Sequence, residues 1–252
     1  MANEKSRNDI NRVILGGRLV ADPVVKNKAM FFTLAVQRSK DATDFLPVCI
    51  RGGRTERLSA FLKKGSALVV DGRLQQWKDQ NGRSRVMVET ESVHFGAVGL
   101  NQVVLMGRLV SEPECRQTSS QKTVYNFALA SERTWKKDDS LESRVSFIDV
   151  AVWENDNVMK CFSKGAMCTV AGSLQSRSYK NKDGENRVAY TVSANRVFFA
   201  PQTKEDAKDD AEDQGAIVDT ASQAAPAYPQ TAQAYEIPDD YYVDENAEDL
   251  PF

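Results

Sequence analysis

Histidine is almost missing from this 252-residue chain, with His94 the only one. The four cysteines, Cys49, Cys115, Cys161 and Cys168, form no CxxC pair and have no histidine beside them. A Cys/His zinc site is excluded on that ground, and the cysteines are expected to be small buried hydrophobes. No run of 18 apolar residues occurs, so no membrane-spanning helix is expected. The opening MANEKSRNDI has no apolar signal core, which points to a cytoplasmic chain with reduced thiols. The first 200 residues hold no GxxxxGK(S/T) loop, nucleophile elbow, HExxH pair or acid-rich metal cluster. Neither catalysis nor a cofactor is expected.

A large net charge is also missing, but only in the total. The formal charge of -2 divides into +10 over residues 1–200, from 31 bases and 21 acids, and -12 over 201–252, from two bases and 14 acids. A basic body joined to an acidic tail is a charge pattern of nucleic-acid partners.

An internal repeat organises the body. NRVILGGRLVADP (11–23) and NQVVLMGRLVSEP (101–113) share eight of thirteen positions. Further along, FTLAVQR (32–38) aligns with FALASER (127–133), FLPVCIR (45–51) with FIDVAVW (147–153), and LKKGSALVVDGRLQ (62–75) with FSKGAMCTVAGSLQ (162–175). Two units of about 100 residues, a normal domain length, are therefore expected at 8–98 and 99–200, followed by a tail at 201–252.

Each unit reads mostly as strand. Val, Ile and Leu crowd the first segment around a glycine, which suggests a bulge, a bend or close backbone approach. Phe32, Leu34 and Val36 alternate with Thr33 and Ala35, and Phe127 and Leu129 repeat the period. Third strands are expected at 48–50 and 150–153. One helix per unit follows from Leu58, Phe61 and Leu62 and from Val158, Cys161 and Phe162, all at i, i+3, i+4. Thr55 and Asp156 suit the N-caps. Lys63, Lys64 and Gly65, and then Lys164 and Gly165, suit the stops. Two more strands follow, with hairpin turns at DQNG (79–82) and NKDG (181–184). Strand–strand–strand–helix–strand–strand in about 100 residues is the order of an OB-fold, a five-stranded Greek-key barrel. The expected class is all-β with one short helix per domain: tandem OB-folds followed by a disordered acidic tail.

An oligonucleotide surface on such a barrel needs cations for phosphates and aromatic faces for bases. The second unit offers Trp135 beside Arg133, Lys136 and Lys137, Phe147 and Trp153 at the two ends of strand three, and Tyr179 beside Arg177 and Lys180. Trp135 and Tyr179 are read as loop aromatics. Phe147 and Trp153 alternate with apolar neighbours and are compatible with either face of a sheet. Phe127, Phe162, Phe198 and Phe199 are expected in the core. The first unit has the higher charge, +7 against +3, but six aromatics against ten. Its candidates are Trp77 with Lys78, Phe45 at the position of Phe147, and Arg51 at that of Trp153.

The tail is too polar to fold alone. It ends in acids followed by Leu250, Pro251 and Phe252. A terminal ring and carboxylate suit a pocket with an apolar floor and a basic rim. Asp249, Leu250, Pro251 and Phe252 are the expected partner-binding tip.

Together these segments resemble bacterial single-stranded DNA-binding proteins. The carriers of the resemblance are the two opening strands, FTLAVQR and FALASERTW, the KKGS and SKGA steps, the basic aromatic hairpins and the tip EDLPF. The family tip is usually acids followed by Ile-Pro-Phe, with Leu250 here in place of Ile. The resemblance implies sequence-tolerant coating of single-stranded DNA in replication, recombination and repair, and recruitment of partner enzymes through the tip. It also implies that Trp135, Phe147, Trp153 and Tyr179 match stacking positions, with Phe45 and Trp77 their first-unit counterparts. Four barrels per assembly implies a homodimer of this chain, and a bacterial cytoplasmic, nucleoid-associated location. Arg51, Pro47 within strand three and the lack of a Trp135 counterpart depart from the pattern and suggest that the first barrel serves partly in assembly. Two alternatives stay open: a mediator that docks replication-restart enzymes, and an RNA-binding OB module. The acidic tail should compete with DNA for the basic body. Removing 204–252 is expected to tighten oligo-dT binding at low salt in a fluorescence titration, whereas unchanged or weaker binding would count against the competition.

Overall fold

The computed structural model describes residues 8–52, 55–78, 84–118, 121–137, 140–153, 163–180 and 184–199, without the side chains of Trp77, Lys78, Ser84 and Glu91. The first unit runs β1 (Asn11–Leu19), β2 (Val24–Lys26), β3 (Ala29–Ser39), β4 (Ala42–Arg51), α1 (Thr55–Phe61), β5 (Ala67–Lys78) and β6 (Ser84–Phe95). The second runs β7 (Leu100–Leu109), β8 (Glu114–Gln117), β9 (Thr123–Lys137), β10 (Ser140–Trp153), β11 (Met167–Lys180) and β12 (Asn186–Phe199). Each unit closes into the expected OB barrel. In the first, β1 pairs with both β3 and β5, and a parallel β4–β6 pairing at Val48–Ile50 completes the circuit. In the second, β7 pairs with β9 and β11, and β10 runs parallel to β12 at Asp149–Val152. Val13, Leu15, Leu34, Val70 and Leu74 fill one barrel, and Val103, Leu105, Leu129, Val170 and Leu174 the other.

The strand glycines are places of close approach. A Cβ on Gly17 would stand 2.5 Å from the Ala35 carbonyl oxygen, and one on Gly107 2.5 Å from that of Ala130. Both lie where the first strand changes partner between the two sides of its barrel, so a side chain there would push the closing strands apart.

Several expectations need correction. Each unit carries an extra short strand, β2 or β8, that the sequence pattern did not reveal. Asn27 and Lys28 take left-handed φ of 50° and 56° to turn β2 into β3, as a two-residue I′ turn requires. The helix ends at Phe61, so Lys63 and Lys64 follow it rather than cap its last turn, and Phe61 is exposed while Leu62 is buried. Phe198 is exposed on the outer side of its barrel; Phe127 is core. Cys49 and Cys168 are buried, and burial pushes the Cys168 thiol up to about 12; Cys115 is exposed. The expected second helix, with Asp156, Val158, Cys161 and Phe162, lies outside the described residues, as does 201–252.

The two barrels share one twelve-stranded sheet, because β1 and β7 pair antiparallel over Asn11–Gly16 and Leu100–Leu105. Val13 stands opposite Val103, its own counterpart in the repeat, so the pairing is centred on a local twofold. Asn11 and Asn101 do matching work at its ends. Each side-chain amide exchanges two hydrogen bonds with the backbone of Leu74 or Leu174, at 2.7–2.8 Å.

Beyond this central pairing, each barrel touches the other along a seam, β4 against β11 and β10 against β5. On the first seam the Phe45 N–H donates to Ser176 Oγ (3.0 Å), and the Ser176 N–H to Asp44 Oδ1 (2.8 Å). On the second the Phe147 N–H donates to Gln76 Oε1 (3.0 Å), and the Gln76 N–H to Ser146 Oγ (3.3 Å). The residues correspond but the chemistry differs: a buried carboxylate, Asp44, stands where the second seam has Ser146. Arg38 braces the first seam, donating to Gln175 Oε1 at 2.6 Å and facing Asp44 Oδ2 at 3.6 Å.

Burial pushes the Asp44 carboxyl above its usual range, opposed by the Ser176 N–H and by Arg38. A carboxyl raised on folding costs stability above its folded pKa, and that cost disappears as pH falls below the unfolded value. The melting temperature of the parent chain should therefore rise relative to Asp44→Asn between neutral pH and about pH 3.5, below the unfolded carboxyl value of about 3.9. A difference between the two chains that does not change with pH would refute this.

Candidate nucleic-acid interface

The second barrel presents three neighbouring strands in the order β11-β12-β10. Alternation sends Ile148, Val150 and Val152 of β10 inward and leaves Phe147 and Trp153 outward, each 46% exposed. Leu174 of β11 points inward, so Arg177 and Tyr179 share the outward face, opposite Ala189 and Arg187 of β12. Thr191 and Ser193 lie between, paired with Gln175 and Ser173 on one side and with Asp149 and Ala151 on the other. Three aromatic side chains and Arg177 thus sit on one open face whose middle strand carries small residues. That face can receive flat rings and leave phosphates near the exposed Arg177.

The sequence points to Trp135 and Tyr179 as loop aromatics, and the structure differs. Both lie on paired strands, Trp135 opposite Glu142 on the β9–β10 ribbon and Tyr179 opposite Arg187. The ribbon also parts Trp135 from its expected companions. Trp135 shares a face with Ser131, Ser146 and Ile148, the side opposite Phe147 and Trp153. It is half-buried, with Arg133 5.7 Å and Arg144 5.9 Å from its ring centre. Lys136 is exposed, and Lys137 pairs with Glu142 at 3.6 Å.

On the first barrel, Phe45 is half-buried at the seam with Ser176. Arg51 is held by the buried Glu89 at 2.6 Å, and Glu89 also faces Arg73 at 3.3 Å. Trp77 and Lys78 lie on β5 with their side chains outside the described set, and Asp249, Leu250, Pro251 and Phe252 lie outside the described residues altogether.

Sequence reasoning missed Arg73, Gln75, Glu89 and Arg144. In the amide orientation that satisfies both of its ends, Gln75 donates to Glu89 Oε2 at 3.2 Å and accepts from Arg144 Nη1 at 2.9 Å. A polar chain therefore crosses from Arg51, Glu89 and Arg73 of one barrel to Arg144 and Trp135 of the other. Its only signal in the sequence is the pair of charges two positions apart in SLESRVS, Glu142 and Arg144, which a solvated strand also shows. No group of three or more possible metal ligands occurs among the described residues, and no described helix is long and apolar enough to cross a membrane.

Comparison with known proteins places this geometry among relatives. A single-stranded DNA-binding protein of Staphylococcus aureus strain MRSA252 is 37% identical over 114 residues, 44% of this chain and 72% of that protein. Single-stranded DNA-binding protein A of Bacillus subtilis is 38% identical over 102 residues, 40% of this chain and 59% of that protein. The crystal structure of the wild-type single-stranded DNA binding protein from Thermus aquaticus superposes with a TM-score of 0.62 at 25% identity, covering 78% of this chain and 96% of that one. The model of the Single-strand binding protein family matches residues 10–96 and, a second time, 100–200. On that double match, the chain belongs to the single-strand binding protein family.

Proposed function

We propose that this protein binds and protects single-stranded DNA, without sequence preference and without catalysis. The observation that carries the reading is the outward face of the second barrel, where Phe147, Trp153, Tyr179 and Arg177 share one side of three adjacent strands. Bases stack on aromatic faces whatever their identity, so such a face tolerates any sequence. The first barrel, residues 8–98, contributes Phe45, Trp77, Lys78 and Arg51; the second, 99–200, contributes Trp135, Arg133, Lys136 and Lys180 besides. The work of the chain is in replication, recombination and repair, in the bacterial cytoplasm at the nucleoid. The acidic tail, 201–252, recruits partner enzymes through Asp249, Leu250, Pro251 and Phe252.

The assembly is a homodimer, four barrels in all. Its support is the outer side of the shared sheet, where Ile14, Val69, Val104, Met106 and Phe198 point away from both cores and Val104 and Phe198 are exposed. Among them lies the ion pair of Arg12 with Asp71, at 2.6 Å. A face this apolar at the centre of a sheet suits a second copy of itself, as an isologous contact.

Titration with oligo-dT should quench tryptophan emission, with light scattering reading two chains per particle. Phe147→Ala, Trp153→Ala and Tyr179→Ala should each weaken binding by about 1–3 kcal/mol, roughly 5- to 150-fold, with little change in melting temperature. No quench and no binding at modest salt would defeat the reading, and equal competition by poly-U would redirect it to RNA.

A further inference from the structure

Between Phe147 and Trp153, the outward alternation of β10 carries Asp149 and Ala151. At a rise of about 3.3 Å per residue, Asp149 stands about 7 Å along the strand from Phe147 and about 13 Å from Trp153. Its neighbours across the sheet are Thr191 of β12 and Ala128 of β9. We propose that Asp149 sets a base preference on this face: its carboxylate accepts a hydrogen bond from the exocyclic amino group of the base that lies on Phe147. Cytosine, adenine and guanine are then favoured there over thymine and uracil. The proposal rests on the single-strand binding reading of the face and adds a specificity residue to it.

Three observations carry it. First, the carboxylate has no partner among the described residues, neither a hydrogen bond nor an ion pair. Arg177, the cation on the same face, lies beyond β12 on β11. Second, the side chain is exposed, yet the protein around the face desolvates it enough to push its carboxyl above the usual range. A carboxylate so placed gains from any donor that reaches it, because hydrogen bonds to a charged group are stronger than neutral ones. The small side chains around it, Ala128, Ala151 and Thr191, leave the approach open. It also repels phosphates, so a bound strand turns base edges toward it and keeps its backbone nearer Arg177.

Third, the acid belongs to this face alone. In the first barrel Pro47 takes its place, opposite Thr33, and is buried. The chemistry of the bases then decides which of them gain. An ionised carboxylate accepts hydrogen bonds and donates none. Where cytosine shows its N4 amino group, thymine and uracil show the O4 carbonyl, and two acceptors repel. Adenine offers its N6 amino group and guanine its N2 amino group. Preferences of single-strand binders ordinarily come from stacking strength and backbone flexibility. Here a hydrogen bond adds to them at one base, while the aromatic face still accepts every sequence.

The test uses the full chain. Oligo-dC and oligo-dU of equal length compete against labelled oligo-dT at mildly alkaline pH, where cytosine is neutral. The two competitors differ only along the N3 and C4 edge of the base, so the ratio of their affinities isolates the contact. Asp149→Ala should lower the dC-to-dU ratio about fivefold, the low end of what side-chain contacts to a base edge supply, by weakening oligo-dC and tightening oligo-dU. Asp149→Asn donates as well as accepts, so it should lower the ratio through tighter oligo-dU while oligo-dC binding is kept. Both variants should melt with the parent, since the side chain has no partner to lose. Glu112→Ala, which removes an exposed acid between β7 and β8, should leave the ratio unchanged. The proposal is overturned if Asp149→Ala and Asp149→Asn shift both competitors equally, the mark of a charge effect alone, or move neither. Either result spares the stacking face, whereas a parent that binds none of the three oligomers sinks the single-strand binding reading itself.

Discussion

The antiparallel pairing of β1 with β7 is the constraint on which the rest depends. Six residues of each strand, met at Val13 and Val103, turn two barrels into one sheet and set a local twofold between them. A barrel made by closing a sheet normally has no free edge there. Here the first strand of each barrel keeps one ladder for its own β5 or β11 and offers the other to its counterpart. The orientation of everything farther out follows. Hairpins that leave one barrel must come down on the other, β4 on β11 and β10 on β5.

That frame also explains the glycines. Where β1 hands over from β5 to β3, the backbone of Ala35 comes so near Gly17 that no side chain fits, and Gly107 repeats the arrangement against Ala130. The bulges opposite Asp71–Gly72 and Ala171–Gly172 bend β6 and β12 at matching points, letting long strands curl into small barrels. Closure and pairing are thus two consequences of the same first strand. This is where the repeat is best preserved, in NRVILGGRLV and NQVVLMGRLV.

Much of the fold was legible because apolar alternation reports burial. The inward residues of β3 and β9 follow from it, the first helix from apolar residues at i, i+3, i+4, and the repeat from identical positions. Alternation failed where strands leave the core. SERTWKK and QSRSYK are polar on both sides, so they read as loops, although both are strand, held by cross-strand hydrogen bonds that do not depend on side-chain type. The outward side of Phe147 and Trp153 was not decidable from spacing, since apolar residues flank them on both alternations. The divorce of Trp135 from them needed the register of β9 against β10, which no single strand contains. Nothing in its own segment marks Asp44 for burial; Ser176 of the other barrel and Arg38 of its own stand against its carboxyl.

A twofold assembly of identical subunits has identical seams, since symmetry forces each contact to occur twice. Joining both barrels in one chain lifts that requirement while the β1–β7 pairing keeps the geometry. Each seam can then change without its twin. The first replaces a serine position with Asp44 and bears the cost of a buried carboxylate, braced by Arg38 and the Ser176 N–H. The second lengthens its ribbon to Lys137, gains Trp135 and Arg144, and is clasped through Gln76 and Gln75 instead of a carboxylate. Each seam thus carries side chains that its twin lacks, which a symmetric pair of barrels has no means to do.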